Sequence, residues 1–146
     1  MGDERAAMPL DAEAYEETAA LPSEPAAAFE LQERMLARLE ELGYSKEALH
    51  GIRLSLEEAL INAIKHGNQM SKVKQVHVRY RISKHAFDIE IRDEGPGFDP
   101  DDVPDPTAPE NLERPCGRGL LLMRHYMTEC DFIPPGNVCR MRRVRG

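Results

Sequence analysis

No apolar run in this sequence approaches the roughly 18 residues that a membrane-spanning helix needs. The first stretch, MGDERAAMPLDAEAYEE, is acidic and lacks the apolar core of a secretory signal, so residence in the cytoplasm is the expectation. Positive charge is in short supply as well: 26 acidic against 19 basic residues leave a formal net charge of −7. That disfavours direct nucleic-acid binding, because neutralising phosphates takes a cationic surface. The exception is Arg140 to Arg145. In an alternating strand those arginines divide between two faces, which points to a solvated edge strand. Cysteine is sparse: Cys116, Cys130 and Cys139 form no Cys-x-x-Cys pair and have no histidine at zinc spacing, so they read as reduced thiols, two of them in the core. His50, His66, His77, His85 and His125 are scattered, and no metal cage made of protein side chains alone is legible. Internal repeats are missing too.

What is present suits a soluble globular chain of 146 residues, 41% apolar and 31% charged, long enough for one core. Residues 1–13 carry no periodic signal and are expected to be a flexible arm, with a single domain over 14–146. Ala14 to Leu21 reads as a short strand. Ser23-Glu24-Pro25 starts a helix whose apolar positions are Phe29, Leu31, Met35, Leu36, Leu39 and Leu42, and Gly43 ends it. Ser45 caps a second helix running to about Gly67, which makes an αα-hairpin. From Val73 to Ile82 the period changes to two, a half-buried strand, and Phe87, Ile89 and Ile91 mark another. Residues 98–116 follow, with five prolines and four aspartates between Asp99 and Cys116, a composition and length typical of a lid or binding loop. A calcium loop is disfavoured, since the central glycine and closing glutamate are missing. A third helix opens at Gly117-Arg118-Gly119, and Asp131–Ile133 and Val138–Val144 look like closing strands around Pro134-Pro135-Gly136. This order predicts an α+β fold, a two-layer sandwich of a mostly antiparallel mixed sheet with three helices on one face.

Candidate chemistry begins on the second helix. At about 100° per residue, Glu58, Asn62, Lys65 and Gln69 fall on one narrow line. Ile52, Leu56, Ala59, Leu60, Ala63 and Ile64 occupy the opposite side, while Leu54 and Ile61 flank the polar strip. An ordinary surface helix has a broad polar face, so a strip between apolar shoulders suits a pocket wall. Asp93-x-Gly95-x-Gly97 follows an apolar strand; its carboxylate can accept a hydrogen bond from an exocyclic amine while the glycines let a flat base approach backbone. Gly117-x-Gly119 stands at a helix start, where unpaired amides can meet phosphate. Each motif alone is weak.

Taken together, Glu58-x-x-x-Asn62, Asp93-x-Gly95-x-Gly97 and Gly117-x-Gly119 resemble the ATP-binding module of the GHKL superfamily (the Bergerat fold), over about Leu21 to Arg143. With EALINAIKHG as its first box, so short a module looks most like the anti-sigma-factor serine protein kinases of partner-switching systems. The resemblance implies ATP and Mg²⁺ as cofactors, with Asn62 binding the metal and Glu58 as general base; Glu57 turns away from Asn62 on the helix. It implies that Asp93 reads adenine with Gly95 and Gly97 shaping the pocket, and that Gly117, Arg118, Gly119 and Leu120 meet the phosphates. Lys65 and Arg114 are further candidates for phosphate charge. Where the family commonly has Gly-Thr near the base, this chain has Gly136-Asn137. The implied function is a protein serine kinase that phosphorylates a small anti-sigma antagonist and so controls a sigma factor, as a possible homodimer without direct nucleic-acid or membrane contact. Alternatives are a non-catalytic nucleotide-gated binding module and a histidine-kinase-like ATPase fragment.

Overall fold

A computed structural model of the chain describes residues 14–96 and 115–145. The expected arm over 1–13 and the 98–114 part of the expected lid lie outside the described residues. The elements are β1 (Tyr15–Pro22), α1 (Pro25–Glu41), α2 (Lys46–Ile61) continued by a π turn (Asn62–Gly67), β2 (Gln75–Ile82), β3 (Ala86–Arg92), α3 (Pro115–Tyr126), β4 (Glu129–Ile133) and β5 (Val138–Val144). The strands form one sheet in the order β1-β2-β3-β5-β4, and all four pairings are antiparallel.

Local chemistry explains the helix boundaries. Proline fills the first turn of α1, where its missing N–H costs nothing, and Gly43 ends the helix at φ +87°. Ser45 accepts a hydrogen bond from the Ala48 amide at 3.0 Å and caps α2. The buried positions of α1 are Ala28, Leu31, Gln32, Met35, Leu36 and Leu39, a stripe at three- and four-residue spacing. Phe29, expected among the apolar set, lies outside it and is 57% exposed. Val73, expected in the strand, precedes β2 and is also exposed.

All three helices cover one face of the sheet and share one core with its inward side chains. Gly51 lets α3 close onto α2, since a Cβ there would lie 2.9 Å from the Tyr126 ring. The outer face is polar. Glu16, Arg81, Asp88, Arg142 and Glu129 align across the five strands in one row. Ion pairs run along it, Arg81–Glu16 at 3.6 Å and Arg142–Asp88 at 2.8 Å, and Arg140–Glu90 at 3.4 Å lies in the next row. The arginine-rich terminus is therefore not an edge strand. β5 lies between β3 and β4, and Arg140 and Arg142 are balanced by carboxylates across the ladder.

Phe87 has no exposed surface at the centre of this core. Phe87→Ala is expected to cost about 3–5 kcal/mol of stability, read from the urea midpoint; a loss below about 1 kcal/mol would contradict the packing described.

Candidate functional site

The end of α2 supplies the first part of the site. Glu58 and Asn62 are one helical turn apart and half-buried. The Asn62 side chain lies next to the Glu58 carboxylate and favours its charged form. The Asn62 oxygen, Oδ1, is buried without a partner among the described residues. A buried carbonyl oxygen without a donor is costly unless something positive meets it. Magnesium takes a few protein oxygens plus phosphate and water, so this atom fits a magnesium ligand. Burial holds Glu58 above the ordinary glutamate pKa, while the Asn62 side chain and the nearby His66 offset part of that rise. Glu57 faces elsewhere and accepts from Gln32 Nε2 at 3.2 Å.

Beyond Asn62 the helix widens. The Asn68 amide bonds the Ala63 carbonyl at 2.8 Å, a five-residue step, and the Met70 amide reaches Ile64 at 2.8 Å. The expected line through Lys65 and Gln69 does not survive this. A π turn holds more residues than an α turn, so the side chain one turn beyond Asn62 comes later in sequence. His66 and Gly67 line the pocket, whereas Lys65 is exposed and absent from its wall. Gln69 already has φ +52°, outside the helix. Sequence periodicity missed His66 and Gly67 because 3.6-residue spacing carries no mark of a π turn.

Asp93 stands at the end of β3, directly against Gly67. A Cβ on Gly67 would lie 2.2 Å from the Asp93 Cγ, and one on Gly95 would lie 2.2 Å from the Gly67 carbonyl oxygen. Both glycines are required by this contact. The Gly95 amide donates to Asp93 Oδ1 at 2.7 Å. Asn137 clamps the Asp93 backbone, its side-chain N–H donating to the Asp93 carbonyl and its own carbonyl accepting the Asp93 amide, both at 3.0 Å. Burial raises the Asp93 pKa; the Gly95 amide and the charge of Lys74 pull against it. The carboxylate keeps acceptor capacity for an incoming amine.

Between these two parts lies a cavity of about 120 Å³. Ala59, Asn62, Ala63, His66 and Gly67 form its helical wall, and Ile91, Asp93, Phe132, Asn137 and Cys139 its sheet wall, with Met123 reaching in from α3. A flat, largely apolar body with one donor edge fits such a space. α3 begins at Pro115, two residues earlier than expected, so Gly117 and Gly119 lie within its first turns. The first amides of any α-helix, those of Gly117 and Arg118 here, have no partner within the helix. Gly119 is pressed on Glu58, where a Cβ would lie 2.3 Å from Oε2. The Leu120 side chain is buried in the core and its amide lies beyond the unpaired first turn of α3, so the expected phosphate contact at Leu120 is not available. Gly97 and Arg114 lie outside the described residues, and so does the side chain of Arg118. Among the described residues there is no cluster of three or more His, Cys, Asp or Glu able to hold a metal.

Fold and pocket together define an α+β domain of the ATPase type. The chain belongs to the family described as the histidine kinase-like ATPase domain, which matches residues 21–143. It is 28% identical over 95 residues to the serine-protein kinase RsbW of Bacillus licheniformis, covering 61% of this chain and 59% of that protein. It is 31% identical over 83 residues to the serine/threonine-protein kinase BtrW of Bordetella bronchiseptica, covering 56% and 58%. An anti-sigma F factor of Halalkalibacterium halodurans is 34% identical over 101 residues, covering 66% and 68%. The chain thus spans about three fifths of the length of the kinases it matches.

Two outcomes follow from this geometry. Gly67→Ala should push the Asp93 carboxylate aside and weaken adenine-nucleotide binding at least about 10-fold, or 1.4 kcal/mol, by calorimetry; unchanged affinity would contradict the close approach. In the ligand-free protein the folded state holds the Asp93 proton more tightly than the unfolded state does. Asp93 therefore lowers stability as pH rises through its elevated pKa. The stability advantage of Asp93→Asn should grow between about pH 3 and about pH 7, and a flat difference would contradict the burial.

Proposed function

We propose that this chain is an ATP-dependent protein serine/threonine kinase of the anti-sigma-factor type. It phosphorylates a serine of a small antagonist protein and controls a sigma factor by exchanging partners. The observation that carries this reading is the Glu58–Asn62 pair, in which Asn62 lines the pocket, with one raised-pKa carboxyl and one buried oxygen that has no partner among the described residues. The kinase and anti-sigma names of its relatives support it.

In this reading adenine enters the cavity with its amino group toward Asp93, held against Gly67 and Gly95. The triphosphate extends toward the α3 N-terminus, where the amides of Gly117 and Arg118 and the Arg118 guanidinium meet it. Asn62 holds magnesium, which supplies charge neutralisation of the phosphates. Glu58 accepts the proton of the acceptor hydroxyl as that oxygen attacks the terminal phosphorus; the bond from this phosphorus to its bridging oxygen breaks, and ADP leaves with that electron pair. A carboxylate kept partly out of water is a stronger base than an exposed one. Phosphoryl transfer asks the protein mainly for position and charge, which rigid elements supply. The setting is the cytoplasm, and a homodimer is the expected assembly.

Labelled ATP and a serine-bearing antagonist test the proposal directly. Transfer should be seen, and Glu58→Gln should slow it about 10²–10⁴-fold with ATP affinity kept. Asn62→Ala should remove the magnesium dependence of binding. Nucleotide binding with no transfer to any antagonist would overturn the kinase reading in favour of a nucleotide-gated binding module.

A further inference from the structure

Asn68 follows the π turn and points away from the pocket, yet it is completely buried. Its Nδ2 donates to Ser23 Oγ at 3.1 Å and to the Gln75 carbonyl at 3.0 Å. Its Oδ1 accepts the Glu94 amide at 2.7 Å. Both donor hydrogens and the oxygen are thus in use. Ser23 is itself fixed, donating to the Lys74 carbonyl at 2.7 Å. One amide therefore joins four places: the end of the helix carrying Glu58 and Asn62, the entry to α1, the start of β2, and the turn between Asp93 and Gly95.

The Glu94 amide is the informative partner. It belongs to the residue between Asp93 and Gly95, so the Asn68 bond holds the turn that aims the Asp93 carboxylate. On the exposed side the Glu94 carboxylate is tied to the Gln75 amide at 3.3 Å and to His77 Nε2 at 2.9 Å. Those contacts are wet and weak in comparison with a buried, fully satisfied amide. The Gly67–Asp93 approach has no slack, since any drift of the turn moves the carboxylate relative to the cavity.

We infer that Asn68 is a positioning residue for the base end of the site: it locks the Asp93–Gly95 turn to the helix that carries Glu58 and Asn62, and so sets purine discrimination. The inference rests on the reading of the cavity as an adenine pocket. A role confined to fold stability would lower the affinity of every nucleotide alike. A role in aiming Asp93 changes the ratio between adenine and guanine nucleotides, because their exocyclic groups differ where Asp93 points.

The test uses the full chain, with dissociation constants for Mg-ATP and Mg-GTP measured by calorimetry. Asn68→Ala should narrow the ATP-over-GTP preference about 10-fold, mostly by weakening ATP. Ser23→Ala removes one anchor of the same amide and should narrow it about 3-fold; it carries the test if Asn68→Ala does not fold. Hydrogen exchange at the Glu94 amide should also quicken in Ser23→Ala. A preference unchanged in the variants that fold, or equal weakening of both nucleotides, overturns the inference and leaves the adenine-pocket reading intact. A wild-type chain that binds no ATP overturns that reading, and this inference with it.

Discussion

A close approach between backbone and carboxylate organises this site. The π turn that ends α2 lies so near the tip of β3 that no side chain fits at Gly67, and none fits at Gly95 against the Gly67 carbonyl. This contact sets the distance between a helix bearing Glu58 and Asn62 and a strand ending in Asp93. Everything else serves to hold those two walls. The α1 stripe and the inward faces of β2 and β3 fill the space behind them, and Asn137 and Asn68 grip the strand end from two directions.

The cost of the arrangement lies in the polar groups of the two walls. Glu58 and Asp93 are both kept partly from water, and both hold their protons more tightly than free side chains would. The Asn62 oxygen has no donor among the described residues. Groups so placed are unfavourable in the ligand-free domain and favourable once a cation and hydrogen-bond donors arrive, a common feature of functional sites. The outer face of the sheet shows the opposite design. Its arginines and carboxylates are matched across strands, which leaves that surface balanced and well solvated.

Much of this was legible in the sequence. The caps at Ser45 and Gly43, the alternation in β2 and β3, and the Glu58-to-Asn62 spacing all rest on local rules, and the fold obeys them. The failures come from tertiary geometry. Lys65 falls beside Asn62 only on an ideal α-helix, and the π turn hands that place to His66. The sequence leaves the cap of α1 open between Ser23 and Glu24; Glu24 takes it, because the Ser23 hydroxyl is committed to the Lys74 carbonyl and the Asn68 amide. β5 read as an edge because its arginines alternate, yet cross-strand carboxylates let it sit inside the sheet. No local pattern encodes a partner contributed from fifty residues away.

The claim on which the account turns is that a divalent cation with its nucleotide is held at the Asn62 oxygen. Manganese prefers the same oxygen ligands as magnesium, and its unpaired electrons broaden nearby nuclear resonances. Titrating Mn-ATP into the isotope-labelled chain should first erase the Asn62 side-chain amide and the backbone amides of Glu58 and Gly119, while Arg81 and Arg142 on the outer sheet face stay sharp. Broadening centred on the outer face, or spread evenly over the molecule, would contradict the account.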